Sequence, residues 1–290
     1  MFLTIEKLDG FFAYDHLTFE PLARLGWSVE EIAWSRREVD WSEYDAVVIR
    51  STWDYQDSPD AFLTVLSEIE SSAARLFNPL DICHWNFNKT YLRELGERGV
   101  PIIPTRWLDL LNEESARSLF ADVSSDHLVA KPLVGANSDG IVVFAADDEA
   151  SIVSATRAYG DQPLMIQPFL SQIQSTGEYS LFYFAGRYSH AILKTPKEGD
   201  FRVQEEHGGQ IEAAIPDETV REIADKAIGV IGQTLLYARV DVVFLDDASP
   251  VVIELELIEP SLYFPYDDES PARFAEALDT MWSEGRSVTV

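Results

Sequence analysis

Apolar and polar positions along the chain alternate between strand-like and helix-like periods. Near the N-terminus a helix is expected around His16 to Leu25, a strand at Trp27 to Ala33, and a buried parallel strand at Asp45-Ala-Val-Val-Ile-Arg50. Ser58-Pro59 then opens a helix to Ile69, with Ser58 as N-cap and Pro59 in the first helical position. These elements predict a small α/β lobe. Phe77-Asn78-Pro79 marks a turn and a lobe boundary, and a helix is expected from Phe87 to Arg98, closed by Gly99.

From Val100 the pattern changes to strands at Ile102 to Pro104, His127 to Lys131, Gly140 to Phe144 and Leu164 to Gln167, with a helix at Asp148 to Tyr159. This lobe reads as α+β. Glu178 to Phe184 and Arg187 to Lys194 form a hairpin turning at Ala185-Gly186. The Gly-rich, charged run Thr195 to Gly209 reads as a mobile loop. Helix Asp217 to Leu235 and strands Ala238 to Leu245 and Pro250 to Ile258 follow.

The last two strands carry the most informative polar pattern. Side chains two apart in a strand share a face, so Glu254 and Glu256 point together, while Ile253, Leu255 and Leu257 share the other side. In the preceding strand Asp241 and Arg239 lie opposite Val240, Val242 and Phe244. A short connection makes the pair antiparallel and brings three acids together, at an electrostatic cost that a divalent cation offsets. Oxygen-only ligands favour Mg²⁺ or Mn²⁺ over zinc. The same acids would be ordinary on a solvated sheet face, and the strands alone leave both readings standing.

Charge and composition narrow the partners. At 290 residues the chain can bury a large core, and its net charge of −28 argues against nucleic acid and anionic membrane surfaces. No apolar run approaches the roughly 20 residues needed to cross a bilayer, and no secretory signal opens the chain, so a cytoplasmic location is expected. Cys83, the single cysteine, excludes an internal disulfide and a cysteine-based zinc site.

Six lysines against fifty acids make each lysine conspicuous. Lys131 ends an apolar strand before a loop in which Gly135, Ser138 and Gly140 can close over phosphates, and Lys89 follows Asn86-Phe-Asn88 at a helix start; read alone, each is more simply a solvated surface lysine. Gln167-Pro168-Phe169-Leu170 leaves a strand in a form suited to reading adenine. Arg50, Ser51 and Thr52 follow a parallel strand, where α/β lobes bind ligands; Arg50 could pair with a substrate carboxylate, or the segment could be a packed turn. Ser261 lies just past the acidic strand and is a further substrate candidate.

Taken in order, Asn78-Pro79, Asn88-Lys89, Lys131-Pro132, Gln167 to Leu170, Gly177-Glu178, Pro196 to Arg202, Gly208-Gly209, Val240-Asp241 and Glu254-Leu-Glu256 resemble the ATP-grasp superfamily. The likeness is specifically to the ATP-binding part of bacterial glutathione synthetase. Arg50-Ser-Thr-Trp-Asp-Tyr55, Tyr188-Ser-His190, Gly199 to Gln204 and Glu254 to Ser261 are similar to ligases that close O-ureido-D-serine into cycloserine.

The resemblance implies a three-lobed ATP-grasp fold, α/β and α+β, with an N-terminal Rossmann-like lobe over residues 1–80. A central ATP-grasp subdomain would span 81–165 and a C-terminal one 166–290. By resemblance Lys89 and Lys131 bind phosphates, while Gln167 and the backbone of Phe169 and Leu170 hold adenine. Asp241, Glu254 and Glu256 hold two Mg²⁺, and Arg202 faces the transferred phosphoryl group, with Lys194 as a second cation. Glu256 stands where glutathione synthetase has Asn, and the loop after Lys131 has fewer glycines than the family's.

The implied activity is an ATP-dependent carboxylate–amine ligase acting on a small amino-acid-like substrate by phosphoryl transfer and amine attack. A catalytically silent ATP-binding sensor, and phosphoryl transfer without ligation, are the competing readings. Homo-oligomerisation is left open.

Overall fold

The computed structural model describes residues 1–8, 10–135, 140–159, 161–197, 203, 205 and 208–287. Arg202, Ser138 and most of the loop expected from Thr195 to Gly209 lie outside these.

Among the described residues the strands form three sheets. The N-terminal sheet contains β1 (Phe2–Thr4), β2 (Glu31–Ala33), β3 (Ala46–Ser51) and β4 (Arg75–Phe77), all parallel, in the order β2-β1-β3-β4. Helix α1 (Phe19–Arg24) precedes β2, and α2 (Pro59–Glu70) fills the crossover from β3 to β4. β3 is buried along its whole length; the apolar run Ala46–Ile49 predicts this for a parallel strand covered on both faces, and Arg50 and Ser51 are buried through polar partners. Pro59 does open α2, but Ser58 makes no side-chain cap.

After β4 come α3 (Leu80–Phe87) and α4 (Tyr91–Glu97). The single helix expected from Phe87 to Arg98 is therefore replaced by two. Asn88 is extended between them, and its side chain accepts the Thr90 N–H at 3.0 Å, a local bond that competes with helix propagation. Lys89 falls in this break, and its N–H donates to the Leu133 carbonyl at 2.7 Å.

The central sheet runs β5-β8-β6-β7, all antiparallel, from β5 (Arg106–Leu108), β6 (His127–Pro132), β7 (Val142–Ala145) and β8 (Leu164–Pro168). Helices α5 (Glu113–Val123) and α6 (Glu149–Tyr159) cover one face around Leu119, Phe144 and Ile152. The strand expected at Ile102 to Pro104 is a lone bridge from Ile102 to Val252. Prolines at 101 and 104 deny that stretch two ladder donors.

Helix α7 (Gln172–Thr176) leads into the C-terminal sheet of β9 (Glu178–Phe184), β10 (Arg187–Thr195), β11 (Gln210–Ala213), β12 (Tyr237–Phe244) and β13 (Pro250–Glu256). Its order is β11-β10-β9-β12-β13. The β9–β10 hairpin turns at Ala185 and Gly186, both at positive φ, as a tight two-residue turn requires. Helix α8 (Glu218–Ile231) starts at Asp217, whose side chain accepts the Val220 N–H at 2.9 Å, and stops at Gly232 instead of continuing to Leu235. Helix α9 (Ser270–Ser287) docks Phe274 and Leu278 against Phe184 and Tyr237.

Two buried polar residues tie the sheets together. Asn78, fully buried after β4, donates to the carbonyls of Tyr237 (2.9 Å) and Leu257 (2.8 Å) and accepts the Leu236 N–H (2.9 Å). Asn78→Ala strands all three groups, and a loss of about 3 kcal/mol in urea unfolding is expected; an unchanged midpoint would show that water replaces the amide.

His190 stacks on Phe182 with ring centroids 4.4 Å apart, and its Nε2 donates to the Leu262 carbonyl at 3.0 Å. Burial pushes the imidazole down from 6.5 to about 4. Its neutral form is favoured by folding, so its contribution is complete above about 6.5 and lost as pH falls toward about 4. That loss amounts to about 3 kcal/mol. Comparing His190→Phe with the parent in urea at neutral pH and at pH ~4.5 isolates it: the gap between the two proteins should narrow in acid.

Candidate active site

β13 is an edge strand, yet its outer edge is occupied. Asn86 of α3 donates to the Leu255 carbonyl at 2.7 Å and accepts the Leu257 N–H at 2.9 Å. The Tyr91 hydroxyl of α4 accepts the Leu255 N–H at 3.0 Å, and the Pro101 carbonyl accepts the Val252 N–H at 2.9 Å. The backbone groups an edge strand leaves open are thus met by side chains of α3 and α4 and by the Pro101 carbonyl.

The register across β12 and β13 sets Asp241 opposite Glu254 and Arg239 opposite Glu256. Between these pairs and Val242–Val252 the register shifts, leaving Ile253 as an extra residue. The bulge changes the expected faces. Val252, Leu255 and Leu257 enter the core, whereas Ile253 lines a cavity of about 220 Å³ alongside Glu254 and Glu256. Ile253 does not share a side with Leu255 and Leu257, because one inserted residue reverses the alternation.

Oxygens of Asp241, Glu254 and Glu256 lie within 4.8 Å of one another. Each carboxylate has a protein counter-charge. Arg239 donates from Nε to Asp241 Oδ1 at 3.0 Å and from Nη2 to Asp241 Oδ2 at 2.9 Å, and reaches Glu256 as well. Lys89 pairs with Glu254. Lys194 donates to Glu178 Oε1 at 3.0 Å and stands 3.9 Å from Asp241. Burial raises the Asp241 carboxyl, but Arg239 and Lys194 outweigh it and hold the group below its ordinary range. Burial pushes Glu256 up, with Arg239 countering and Glu254 and Asp241 adding repulsion.

The opposite wall of the cavity belongs to the central sheet. Lys131 lies there with no carboxylate at ion-pair distance among the described residues, and burial pushes its ammonium down to about 8. Gln167 is buried and donates to the Thr105 hydroxyl at 3.0 Å, while its Oε1 meets no partner. Phe169 and Leu170 complete this end; the Phe169 N–H is already donated to the His127 carbonyl at 2.9 Å.

The candidate residues therefore divide. Lys89, Lys131, Gln167, Phe169, Leu170, Lys194, Asp241, Glu254, Glu256 and Ser261 line one cavity. Arg50, Ser51 and Thr52 are buried away from that lining. Arg50 donates to Asp15 at 2.9 Å and to the Pro260 carbonyl at 3.1 Å, and Ser51 donates to the same aspartate at 2.5 Å. Of the two readings the sequence left open for this segment, substrate contact or packed turn, the structure shows the packed one. Arg239 is the residue that sequence reasoning passed over; its position two before Asp241, on the same face, was the available signal.

Residues 110–259 match the family model of the prokaryotic glutathione synthetase ATP-grasp domain, and residues 1–78 match that of the D-cycloserine synthetase DcsG N-terminal domain. The cycloserine biosynthesis protein DcsG of Streptomyces lavendulae is 31% identical over 252 residues, covering 82% of this chain and 83% of that protein. The chain belongs to the ATP-grasp ligases.

The crystal structure of D-cycloserine synthetase DcsG superposes on this ligase with a TM-score of 0.84 at 28% identity, over 97% of this chain and 98% of that one. The ATP-grasp ligase PsnB, complexed with a minimal precursor, shares the fold at 19% identity and a TM-score of 0.65, over 96% and 98% of the two chains. Enzymes of this family form C–N bonds with ATP and Mg²⁺. The ligase has the mixed helix-and-sheet ATP-grasp architecture. No helix among its described residues is long and apolar enough to cross a membrane.

The donor set fits these ligands. Three carboxylates offer hard oxygens to Mg²⁺, Lys131 is a cavity cation awaiting an anion, and the orphaned Gln167 Oε1 is an acceptor suited to an exocyclic amine.

Proposed function

We propose that this ligase activates the carboxylate of a small amino-acid-like substrate by phosphoryl transfer from ATP and joins it to an amine. The observation that carries the reading is the meeting of Asp241, Glu254 and Glu256 with Lys89, Lys131 and Gln167 in one cavity. In this reading the three acids hold two Mg²⁺ ions, Lys89 and Lys131 take phosphate oxygens, and Gln167 with the Phe169–Leu170 backbone holds adenine. When bound, Mg²⁺ neutralises charge on the transferring oxygens.

The chain's own work is placement and charge. Lys89, paired with Glu254 on the cavity wall, would offer its ammonium to a phosphate oxygen, and Glu254 would offer its carboxylate to a metal. Arg239, anchored on Asp241, presents a guanidinium beside the acids, where anionic oxygens accumulate during transfer. Lys194 sits deeper, on Glu178, and keeps Asp241 ionised. Arg202 is the further cation proposed to face the transferred group, and Ser261 a contact for substrate. The central sheet and the helix-clasped β13 form two facing walls of the cavity.

The test is incubation of purified protein with Mg²⁺-ATP, first with O-ureido-D-serine and then with pools of amino acids, followed by mass spectrometry. ADP, phosphate and a coupled product are expected. Tight ATP binding with no substrate-dependent ADP release would instead indicate a nucleotide sensor.

A further inference from the structure

Five successive backbone carbonyls beyond β13 each accept a hydrogen bond from a different side chain. Ile258 accepts from the Tyr237 hydroxyl (2.8 Å), Glu259 from Trp53 Nε1 (2.9 Å) and Pro260 from Arg50 Nη2 (3.1 Å). Ser261 accepts from Arg239 Nη1 (3.4 Å) and Leu262 from His190 Nε2 (3.0 Å). The donors come from β12, from β10 and from the end of β3 and the turn after it. They fix a segment whose alternate side chains Glu259, Ser261 and Tyr263 line the cavity.

Glu259 stands apart from the other acids of that cavity. Asp241 and Glu256 are paired with Arg239, Glu254 with Lys89, and Glu178 with Lys194. Glu259 is only 9% exposed, and among the described residues no cation lies within ion-pair distance of it. Tyr55 lines the cavity with it, and the two groups act on each other, Tyr55 lowering the Glu259 carboxyl and Glu259 raising the Tyr55 hydroxyl. Burial pushes the carboxyl up to about 7, as expected for an acid with no cation beside its ionised form.

The surrounding wall is aromatic. Trp53 donates to the Glu259 carbonyl, Tyr55 and Phe87 line the same cavity, and their rings lie 5.5 Å apart. A buried carboxylate set among aromatic rings offers charge pairing and cation–π attraction to an ammonium group. A divalent ion would need several oxygens, and Glu259 is not in the metal-competent group.

We propose that Glu259, framed by Trp53, Tyr55 and Phe87, binds the ammonium group of the substrate and makes this ligase specific for molecules that carry a free amine. The inference rests on the amino-acid-like substrate proposed above and adds the chemical group that is recognised and the residue that recognises it. Arg50 acquires a role here as a positioning residue: its bond to the Pro260 carbonyl holds the segment that presents Glu259.

The test uses the full chain, Mg²⁺ and a non-hydrolysable ATP analogue. It measures thermal shifts with O-ureido-D-serine and with each common amino acid in both enantiomers, every one paired with its des-amino analogue. ADP release with ATP is followed in parallel. At least one amino acid is expected to bind while its des-amino partner does not. Glu259→Gln should weaken that binding about ten- to a hundredfold with ATP affinity unchanged, and Glu259→Asp should restore part of it.

Equal binding of an amino acid and its des-amino analogue, or equal affinity of the parent and Glu259→Gln for the amino acid, would overturn the proposal. If ADP release then persists, the ligase reading survives alone. Glu259-dependent binding without ADP release would sustain the ammonium site and remove the ligase reading. Absence of binding by every amino acid tested would remove both.

Discussion

Glu254→Gln is expected to lower Mg²⁺-dependent ADP release about a thousandfold while the protein still folds. Gln keeps the size of the side chain and one oxygen acceptor but removes the charge that faces Asp241 across the strand pair. The proposed metal site then loses one of three anionic donors held within 4.8 Å. Folding tolerates the change because the Glu254 side chain is one-third exposed, and Lys89 retains Glu256 and Glu259 as more distant counter-charges. Turnover, Mn²⁺ binding in the presence of ADP, and the melting midpoint should be measured together. Full turnover in a folded Gln variant would take Glu254 out of the metal site.

Arg239→Met should have the largest effect on stability, a loss of about 3–5 kcal/mol in metal-free buffer. The guanidinium is almost entirely buried and holds Asp241 through two nitrogens while reaching Glu256. Methionine fills much of the same volume but leaves three carboxylates facing one another, balanced among the described residues by Lys89, Lys194 and, at longer range, Lys131. The deficit is electrostatic, so a divalent cation should offset part of it. Millimolar MgCl₂ is accordingly expected to raise the urea midpoint of the variant more than that of the parent. Identical Mg²⁺ responses would show that Arg239 does not balance the acidic group.

Much of this architecture was legible because long strands carry strong periodic signals. The buried run of β3, the β9–β10 hairpin and the acid-bearing strand pair could all be read from alternation and turn residues. The strands β1, β4 and β5 span three residues each, too few to show a period. Helix α5 buries only Ala116 and Leu119 on a charged sequence, so its apolar stripe is faint, and its Asn112–Ser115 capping box is the better sign.

The site was legible at the level of residue type and order, less so in its geometry. Glu254-Leu255-Glu256 alternates cleanly, and nothing in it announces the bulge at Ile253 that carries a neighbouring isoleucine onto the same wall. Arg50 showed the opposite difficulty. An arginine after a parallel strand has the sequence of a ligand contact, yet Asp15, thirty-five positions earlier, claims it. That pairing is a tertiary event with no local trace. Glu259 escaped notice for the same reason, since Trp53 and Tyr55 reach it from another lobe.

The occupied edge of β13 has a consequence for how this protein breathes. An outermost strand ordinarily frays first, its amides exchanging with solvent through small, independent openings. Here the Leu255 and Leu257 amides cannot be freed without releasing Tyr91 and Asn86, so fluctuations of the acid-bearing strand are tied to those of α3 and α4. Exchange at these two amides should keep pace with α4, and the acids and Lys89 should form or dissolve as one cooperative unit.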